Sequence, residues 1–477
     1  MGKITNEKKN REAVICTAPQ KLDTFWGHFY DCFFYFYHMK KFIKGDKKVL
    51  NAWAFYDWAN SVYALVISSS IFPLYYGALF RLEDKNGWNF FGMEIPSESI
   101  ISYITAIGFL VISILSPLLS GVADYLGNKK FFLKVFCTVG AISCMLLYFF
   151  SLENIYIGLM FYMLALIGFW GSLVFYNSYL PDIAFSEQQD AISAKGYSLG
   201  YAGSVILLLV NLTMVMKYDW FGFANELEAM RWSFVLVGIW WLGFSQYSYM
   251  HLPNFRNDKK IEKTIFAKGF KELKLVYEKI KQNPLIKTYL TAFFIYSMAV
   301  QTIMIIAAYF GEKEIVWDDD QHRTIGLICS ILLIQLVAVV GAILTSKLSH
   351  KIGNFKTLIT INCLWIGICI YAYTIATPIQ FYITATFVGF VMGGIQSLSR
   401  STFSKLIPTE RDTTSFFSFY DVTEKIGIVI GMMMYGLITQ ITGKVQNAIL
   451  FLIVFFAIGT YFLVQAVRIS KSEDVNV

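Results

Sequence analysis

The sequence predicts an all-α membrane protein of twelve transmembrane helices, set out as two six-helix bundles that follow one another in the same orientation. Three observations carry this. Hydrophobic residues make up 56% of the chain and charged residues only 15%, the composition of a chain dissolved in lipid. Apolar runs of about 20 residues, each long enough to cross roughly 30 Å of hydrocarbon, recur along nearly the whole length. Two landmarks also repeat at a spacing close to half the chain.

The apolar runs fall, in order, at residues 49–80, 99–121, 131–151, 154–180, 190–216 and 231–251, then at 287–310, 323–346, 357–376, 379–399, 415–440 and 446–468. A membrane barrel would instead show strands of about ten residues with strict alternation, and none is present. Lysine and arginine fix the orientation. With the N-terminus cytoplasmic, the inner loops collect Lys129, Lys130 and Lys134, the stretch from Arg256 to Lys287, then Lys347, Lys351 and Lys356, and finally Arg400, Lys405 and Arg411. The outer loops are poorer in basic residues and hold the acidic W-D-D-D of 317–320, as the positive-inside rule requires. The net charge of +7 is thereby explained by membrane orientation, with no nucleic-acid partner.

This predicts an integral protein of the inner (plasma) membrane, both termini cytoplasmic, in contact with lipid and acting as a monomer. Residues 1–48 form an N-terminal cytoplasmic extension. Within it, 1–38 read as an upstream segment without a cleavable signal, because Met39 with K-K-F-I-K-G-D-K-K has the character of a natural start. The first bundle occupies 49–252, an amphipathic linker 253–286, the second bundle 287–468 and a tail 469–477.

Seven cysteines (Cys16, Cys32, Cys137, Cys144, Cys329, Cys363 and Cys369) form no C-x-x-C pair, and the five histidines are scattered. No Walker loop, G-x-S-x-G elbow or H-E-x-x-H is present. The pattern offers no cofactor, no metal and no enzyme chemistry.

The repeat is the most informative feature. After the second run the chain reads S-G-V-A-D-Y-L-G-N-K-K, and after the eighth S-K-L-S-H-K-I-G-N-F-K, so that Gly127 aligns with Gly353 at an offset of 226. Leu180-Pro181 aligns with Ile407-Pro408, and Gly200 with Gly427, at 227. Six helices followed by six in the same orientation is the parallel-repeat plan of major facilitator transporters. Between the halves, Ile261, Ile265, Phe266, Leu273, Val276 and Ile280 recur at helical spacing among lysines. That helix either lies on the inner membrane surface or is a solvated connector.

The segment G-V-A-D-Y-L-G-N-K-K resembles the signature loop between helices two and three of the major facilitator superfamily. A-F-Y-D-W-A-N-S, F-Y-N-S-Y-L-P-D-I-A, Y-S-M-A-V-Q-T, L-S-R-S-T-F-S-K-L-I-P and F-Y-D-V-T-E-K resemble its vacuole-effluxer-like branch, from about Val49 to Arg468. The resemblance implies a twelve-helix alternating-access carrier related to proteins associated with amino-acid export from vacuoles. Ser120 and Asn128 depart from the signature; Asp124, Gly127, Lys129 and Lys130 keep it. Asp124, at the inner end of helix two, is placed to face the positive N-terminal end of helix eleven near Ser415 and to pair with nearby lysines. Such a conformational latch is worth about 1 kcal/mol or more. In the second half His350 takes the equivalent position.

In the first helix Asp57, Asn60, Ser61, Ala64, Ser68 and Tyr75 fall within roughly 60° of one direction. A charge at mid-bilayer costs from about 3 to above 10 kcal/mol, so this polar stripe faces protein or a watery cavity. Asp57 lies about 10 Å in from Leu50 along the helix. It is read either as a proton carrier or anchor for a cationic group, or as a brace to helices four and five through Asn177 or Lys195. In helix eleven, Asp421 and Lys425 are four apart and pair on one face, while Glu424 points elsewhere and is a candidate for coupling. Tyr176, Asn177, Ser297, Gln301 and Gln396 are the neutral candidates for the substrate or proton pathway, with interhelical hydrogen bonding as the alternative. Gly389, Gly393, Gln396 and Arg400 share a face, and the glycines at 196, 200, 203, 427 and 431 read as packing positions.

The expected function is secondary active transport of a small polar solute, an amino acid or similar metabolite, by rocker-switch alternating access with proton coupling. The alternatives are export of amphipathic compounds and a receptor or scaffold that has lost transport.

Overall fold

A computed structural model describes residues 42–90, 92–255, 265–408 and 412–472. The expectations for residues 1–38 and for the end of the tail lie outside the described residues. Twelve long helices run α1 (Lys47–Leu82), α2 (Ser97–Leu126), α3 (Lys129–Leu146), α4 (Ile155–Asn177), α5 (Ser186–Met216) and α6 (Glu226–His251), then α7 (Pro284–Glu314), α8 (Asp320–Ile352), α9 (Asn354–Ala372), α10 (Pro378–Leu406), α11 (Thr413–Thr442) and α12 (Val445–Ser472). By length and composition, eleven helices among the described residues can cross a membrane. The exception is α6, which at 26 residues is long enough but whose charge-free part is diluted by Trp232, Trp240, Trp241, Gln246, Tyr247, Tyr249 and three serines.

Local chemistry sets the helix ends. Asp46 caps α1 by accepting from the Lys48 amide, and Asn283 followed by Pro284 opens α7. Gly127 closes α2 in the left-handed region at φ 64°, where a side chain would be strained. Thr377 and Gln380 form a capping box at the start of α10. That helix runs on to Leu406 because Ile407 precedes Pro408 and so takes an extended conformation.

Two features depart from the uniform helical expectation. A two-stranded hairpin, β1 (Gly87–Phe90) with β2 (Met93–Pro96), joins α1 to α2, and Asn89 Oδ1 accepts from the Gly92 amide in its turn. Within α1, residues Tyr63–Ser68 wind as a π-helix. Its i to i+5 bonding adds a residue to the turn and rotates the rest of α1 by roughly 100° about the helix axis. The polar stripe expected from Asp57 through Tyr75 is therefore broken. The Tyr75 hydroxyl turns into its own half, donating to the Phe150 carbonyl at 2.6 Å and accepting from Arg231 Nε at 2.7 Å.

The two halves repeat one packing scheme. α1 lies against α5 and α6, α3 against α4 and α6, and α2 against α4; α7 lies likewise against α11 and α12, α9 against α10 and α12, and α8 against α10. The halves meet where α2 touches α11 and where α5 touches α8 and α10. Ile265–Gln282 forms a linker helix on α2, crossing it so closely at Gly121 that an added Cβ would lie 2.2 Å from the Gly269 carbonyl oxygen. Val276 and Ile280 are buried, as the helical spacing predicts, in a core cluster made mainly by the second half, while Phe266 faces outward. The expected Ile261 lies outside the described residues. The side of the molecule carrying this helix is its linker face.

Candidate functional site

Asp57 on α1 and Arg400 on α10 bring the halves together at a buried ion pair. Asp57 Oδ2 accepts from Arg400 Nη1 and Nη2, each at 3.0 Å, and from the Tyr176 hydroxyl at 2.9 Å. Arg400 also donates through Nε to Ser193 Oγ at 3.0 Å, and through its Nη atoms to the Ser193 carbonyl at 2.9 Å and to Asn177 Oδ1 at 3.3 Å. Trp53, Tyr176 and Tyr197 surround the guanidinium, with ring centroids 4.2 to 5.5 Å away. The pair is almost dry, Arg400 being 2% and Asp57 4% exposed. Gly196 makes the approach possible, since a Cβ there would sit 2.4 Å from Asp57 Oδ2. The brace expected through Lys195 is not made: that ammonium donates to Asn51 Oδ1. Asn177 reaches Asp57 only through Arg400.

A second cluster links α5 to the other half. Asp190 accepts from Ser349 Oγ at 3.0 Å, Asn354 Nδ2 at 2.9 Å and Lys405 Nζ at 2.7 Å. The third lies at the signature loop. Asp124 Oδ1 accepts from the Thr414 amide at 3.2 Å and Oδ2 from the Ser415 amide at 2.7 Å, so the carboxylate sits on the N-terminus of α11. Lys129 does not pair with Asp124. It bonds Asp182, the Ser178 carbonyl at 2.8 Å and Thr413 Oγ1 at 3.3 Å. Lys130 stands apart, donating to the Leu252 carbonyl within its own half. His350 is exposed. All three clusters lie toward the linker face.

On the other side of these clusters, Tyr197, Gln396 and Glu424 keep partial exposure although they sit between the halves. The Tyr201 hydroxyl donates to Gln396 Oε1 across this space, and Gln301 Nε2 donates to Glu424 Oε1 at 2.6 Å. Asp421 and Lys425 form the expected i, i+4 pair, and the Lys425 ammonium also lies 4.3 Å from the Trp170 ring centroid on α4. Ser297 donates to the Phe294 carbonyl of its own helix at 3.3 Å. Ser61 Oγ donates to Asn60 Oδ1 at 3.4 Å, and Asn60 is buried at 1% exposure with its Nδ2 unpartnered among the described residues. No cluster of metal-ligating side chains is found among the described residues.

Sequence reasoning missed Asp190, Lys405, Ser193, Asp182 and the central place of Arg400. Ending the tenth run at 399 put Arg400 into a basic inner loop, where α10 in fact continues to Leu406. The fifth run begins at Asp190 itself, which drew no reading there, whereas α5 starts at Ser186. The one local signal was Asp57, an acid in the apolar run A-F-Y-D-W-A that requires a base from elsewhere in the chain.

This architecture defines the class. The human organic anion transporter MFSD10 superposes with a TM-score of 0.67 at 10% identity, covering 88% of this chain and all of that one. The major facilitator transporter FucP in its outward conformation superposes with a TM-score of 0.65 at 13% identity, over 88% of this chain and 99% of FucP. The protein thus has the major facilitator fold. Residues 45–474 match the family described as vacuole effluxer Atg22 like, and the chain belongs to that family. An uncharacterised MFS-type transporter of Bacillus subtilis, YxiO, is 31% identical over 440 residues, covering 92% of this chain and 98% of that one. Autophagy-related protein 22 of Eremothecium gossypii is 24% identical over 401 residues, covering 76% of each chain. The protein is an integral membrane transporter of the MFS type, not an enzyme.

Proposed function

We propose that this protein is a secondary carrier that moves a small polar solute of the amino-acid class by rocking its two halves about the polar contacts between them, driven by a proton gradient. The observation that carries the reading is the one-sided placement of those contacts. Asp57 with Arg400, Asp190 with Lys405, and Asp124 with the start of α11 all seal the linker face. Partly exposed polar groups remain between the halves beyond the seal. Two halves held together by a few breakable clusters at one end are suited to exchange that arrangement for its mirror.

In this reading the linker face is cytoplasmic, both chain ends lie there, the chain works as a monomer, and the present conformer opens outward. The likeness to FucP in its outward conformation supports that state. A proton:xylose symporter, XylE, among the structural neighbours is consistent with proton coupling. The bacterial relative of matching length supports a plasma-membrane location. The test is uptake of a labelled mixture of the twenty common amino acids into proteoliposomes under an imposed pH gradient. Accumulation that collapses with the gradient supports the proposal; no solute movement under a gradient of either sign overturns it.

A further inference from the structure

Among the described residues, five side chains that carry a formal charge lie between the halves within the helical core: Asp57, Arg400, Asp421, Glu424 and Lys425. Four of them cancel in pairs. Arg400 holds Asp57 with both of its terminal nitrogens, and Lys425 holds Asp421. Glu424 is left over. Its bonded partner is Gln301 Nε2 at 2.6 Å, a neutral amide, and no ion pair reaches it among the described residues.

Lys425 is one positive charge facing two carboxylates, and its direct bond goes to Asp421. Its ammonium is wholly buried, bonded to Asp421 and seated on Trp170. Glu424, one residue earlier, leaves the helix about 100° away. The groups facing Glu424 are Gln301 and Tyr296 from α7, Tyr197 from α5, and Tyr420, Asp421 and Lys425 from its own helix. The Tyr296 hydroxyl is already engaged with Ser399 Oγ at 2.7 Å. Of these, only Lys425 is a cation, and it is bonded to Asp421 rather than to Glu424. Glu424 lies 11 residues after Thr413, or about 16 Å along the helix, close to half the thickness of the hydrocarbon. An unneutralised carboxylate at that depth is costly, and a partner of opposite charge relieves the cost. Unlike Asp57, Glu424 is partly open to the space between the halves.

We infer that Glu424, held by Gln301, is the site at which this chamber takes up one positive charge, either a proton or the ammonium group of a solute, and that Asp57 is not. The inference rests on the carrier reading but is tested by binding, so that failure of transport and failure of the site are separately visible. The protein is prepared in nanodiscs as wild type, Glu424→Gln, Glu424→Asp and Asp57→Asn. The proton arm follows the infrared band of a protonated carboxyl group as the pH is stepped. The ammonium arm follows the melting temperature in ethylammonium chloride against sodium chloride of equal ionic strength.

The wild type is expected to show a signal in at least one arm. Glu424→Gln abolishes it, Glu424→Asp retains it in altered form, and Asp57→Asn, although it shifts the conformers, keeps it because Glu424 and Gln301 are left in place. A band assigns the site to a proton, and a melting shift assigns it to an ammonium group. The inference is overturned if Glu424→Gln, folded by size-exclusion profile and helical circular dichroism, matches the wild type in both arms. It is overturned equally if Asp57→Asn is the variant that loses the signal, or if the wild type shows neither.

Discussion

Replacing Asp57 by asparagine, or Arg400 by methionine, strands one member of the pair that spans the halves, and the size of the effect is set by the geometry. At 3.0 Å and an effective dielectric constant of about 20, the gross attraction is about 5.5 kcal/mol. Breaking such a buried pair from one side costs about 3 to 5 kcal/mol, because the partner is left buried and uncompensated. In a conformer open at the linker face each charge would meet water instead. The loss should therefore appear as a shift between conformers: about 3 kcal/mol is roughly a 150-fold bias toward the open linker face. Removing both charges together leaves nothing stranded and should return the equilibrium to within about 1 kcal/mol of wild type. The assay is double electron–electron resonance in nanodiscs, with spin labels at Phe131 and Lys356. Both are exposed near the linker-face ends of α3 and α9, and the seven native cysteines are first replaced by serine or alanine. Each single variant should gain a longer-distance population, and the double variant should lose it again. If the singles leave the distances unchanged, or the double variant shifts by the sum of both, the pair is not holding the linker face shut.

The same labels test two further expectations, and proteolysis a third. Gly196→Ala places a methyl group 2.4 Å from Asp57 Oδ2, so it should displace the carboxylate and reproduce the opening seen with Asp57→Asn; a distribution like that of the wild type would mean the backbone yields instead. Asp124→Asn removes charge but little volume from the N-terminus of α11, which should cost about 1 kcal/mol and shift the populations roughly fivefold. An effect as large as that of the central pair would contradict this ranking. Gly121→Leu leaves no room for the linker helix, whose Gly269 carbonyl lies 2.2 Å from the added Cβ. Limited proteolysis should then cut within Ile265–Gln282 faster than in the wild type, and unchanged protection would refute the contact.

The membrane class and the repeat were legible because both are properties of patterns long enough to average over local chemistry. Apolar runs report length, and the matched turns at Gly127 and Gly353 report connectivity; the paired packing of α1 with α5 and of α7 with α11 is their consequence. Asp124 was legible too, since a signature loop fixes a carboxylate one turn from a helix end. Partners across the halves were not. Nothing local distinguishes Arg400, buried against Asp57, from a lysine in a basic loop, because the difference lies in seven more helical residues before Ile407 and in a contact 343 positions away. The π turn of α1 was equally silent: Tyr63–Ser68 is apolar at nearly every position, so a periodicity of 3.6 could be carried through it without contradiction.

The two arms of the linker face are related by the repeat, yet they use their carboxylates in opposite senses. On one, Asp124 from α2 accepts backbone amides of α11, donors that no substitution on α11 other than proline removes. On the other, the acid comes from α5: Asp190 accepts three side-chain donors, from Ser349 on α8, Asn354 on α9 and Lys405 on α10. Lys405 stands five residues beyond Arg400 on one unbroken helix, about 7.5 Å along its axis. Any displacement of α10 that separates Lys405 from Asp190 must also draw Arg400 from Asp57 and from Ser193, and the Ser397 carbonyl from the Ser193 hydroxyl that donates to it. Two buried ion pairs carried on one rigid rod cannot open in halves without stranding charge, so intermediate positions of α10 are costly and the ends are favoured. If the halves rock as proposed, the discreteness of that change would reside in α10, with α2 and α11 supplying a weaker contact that yields with it.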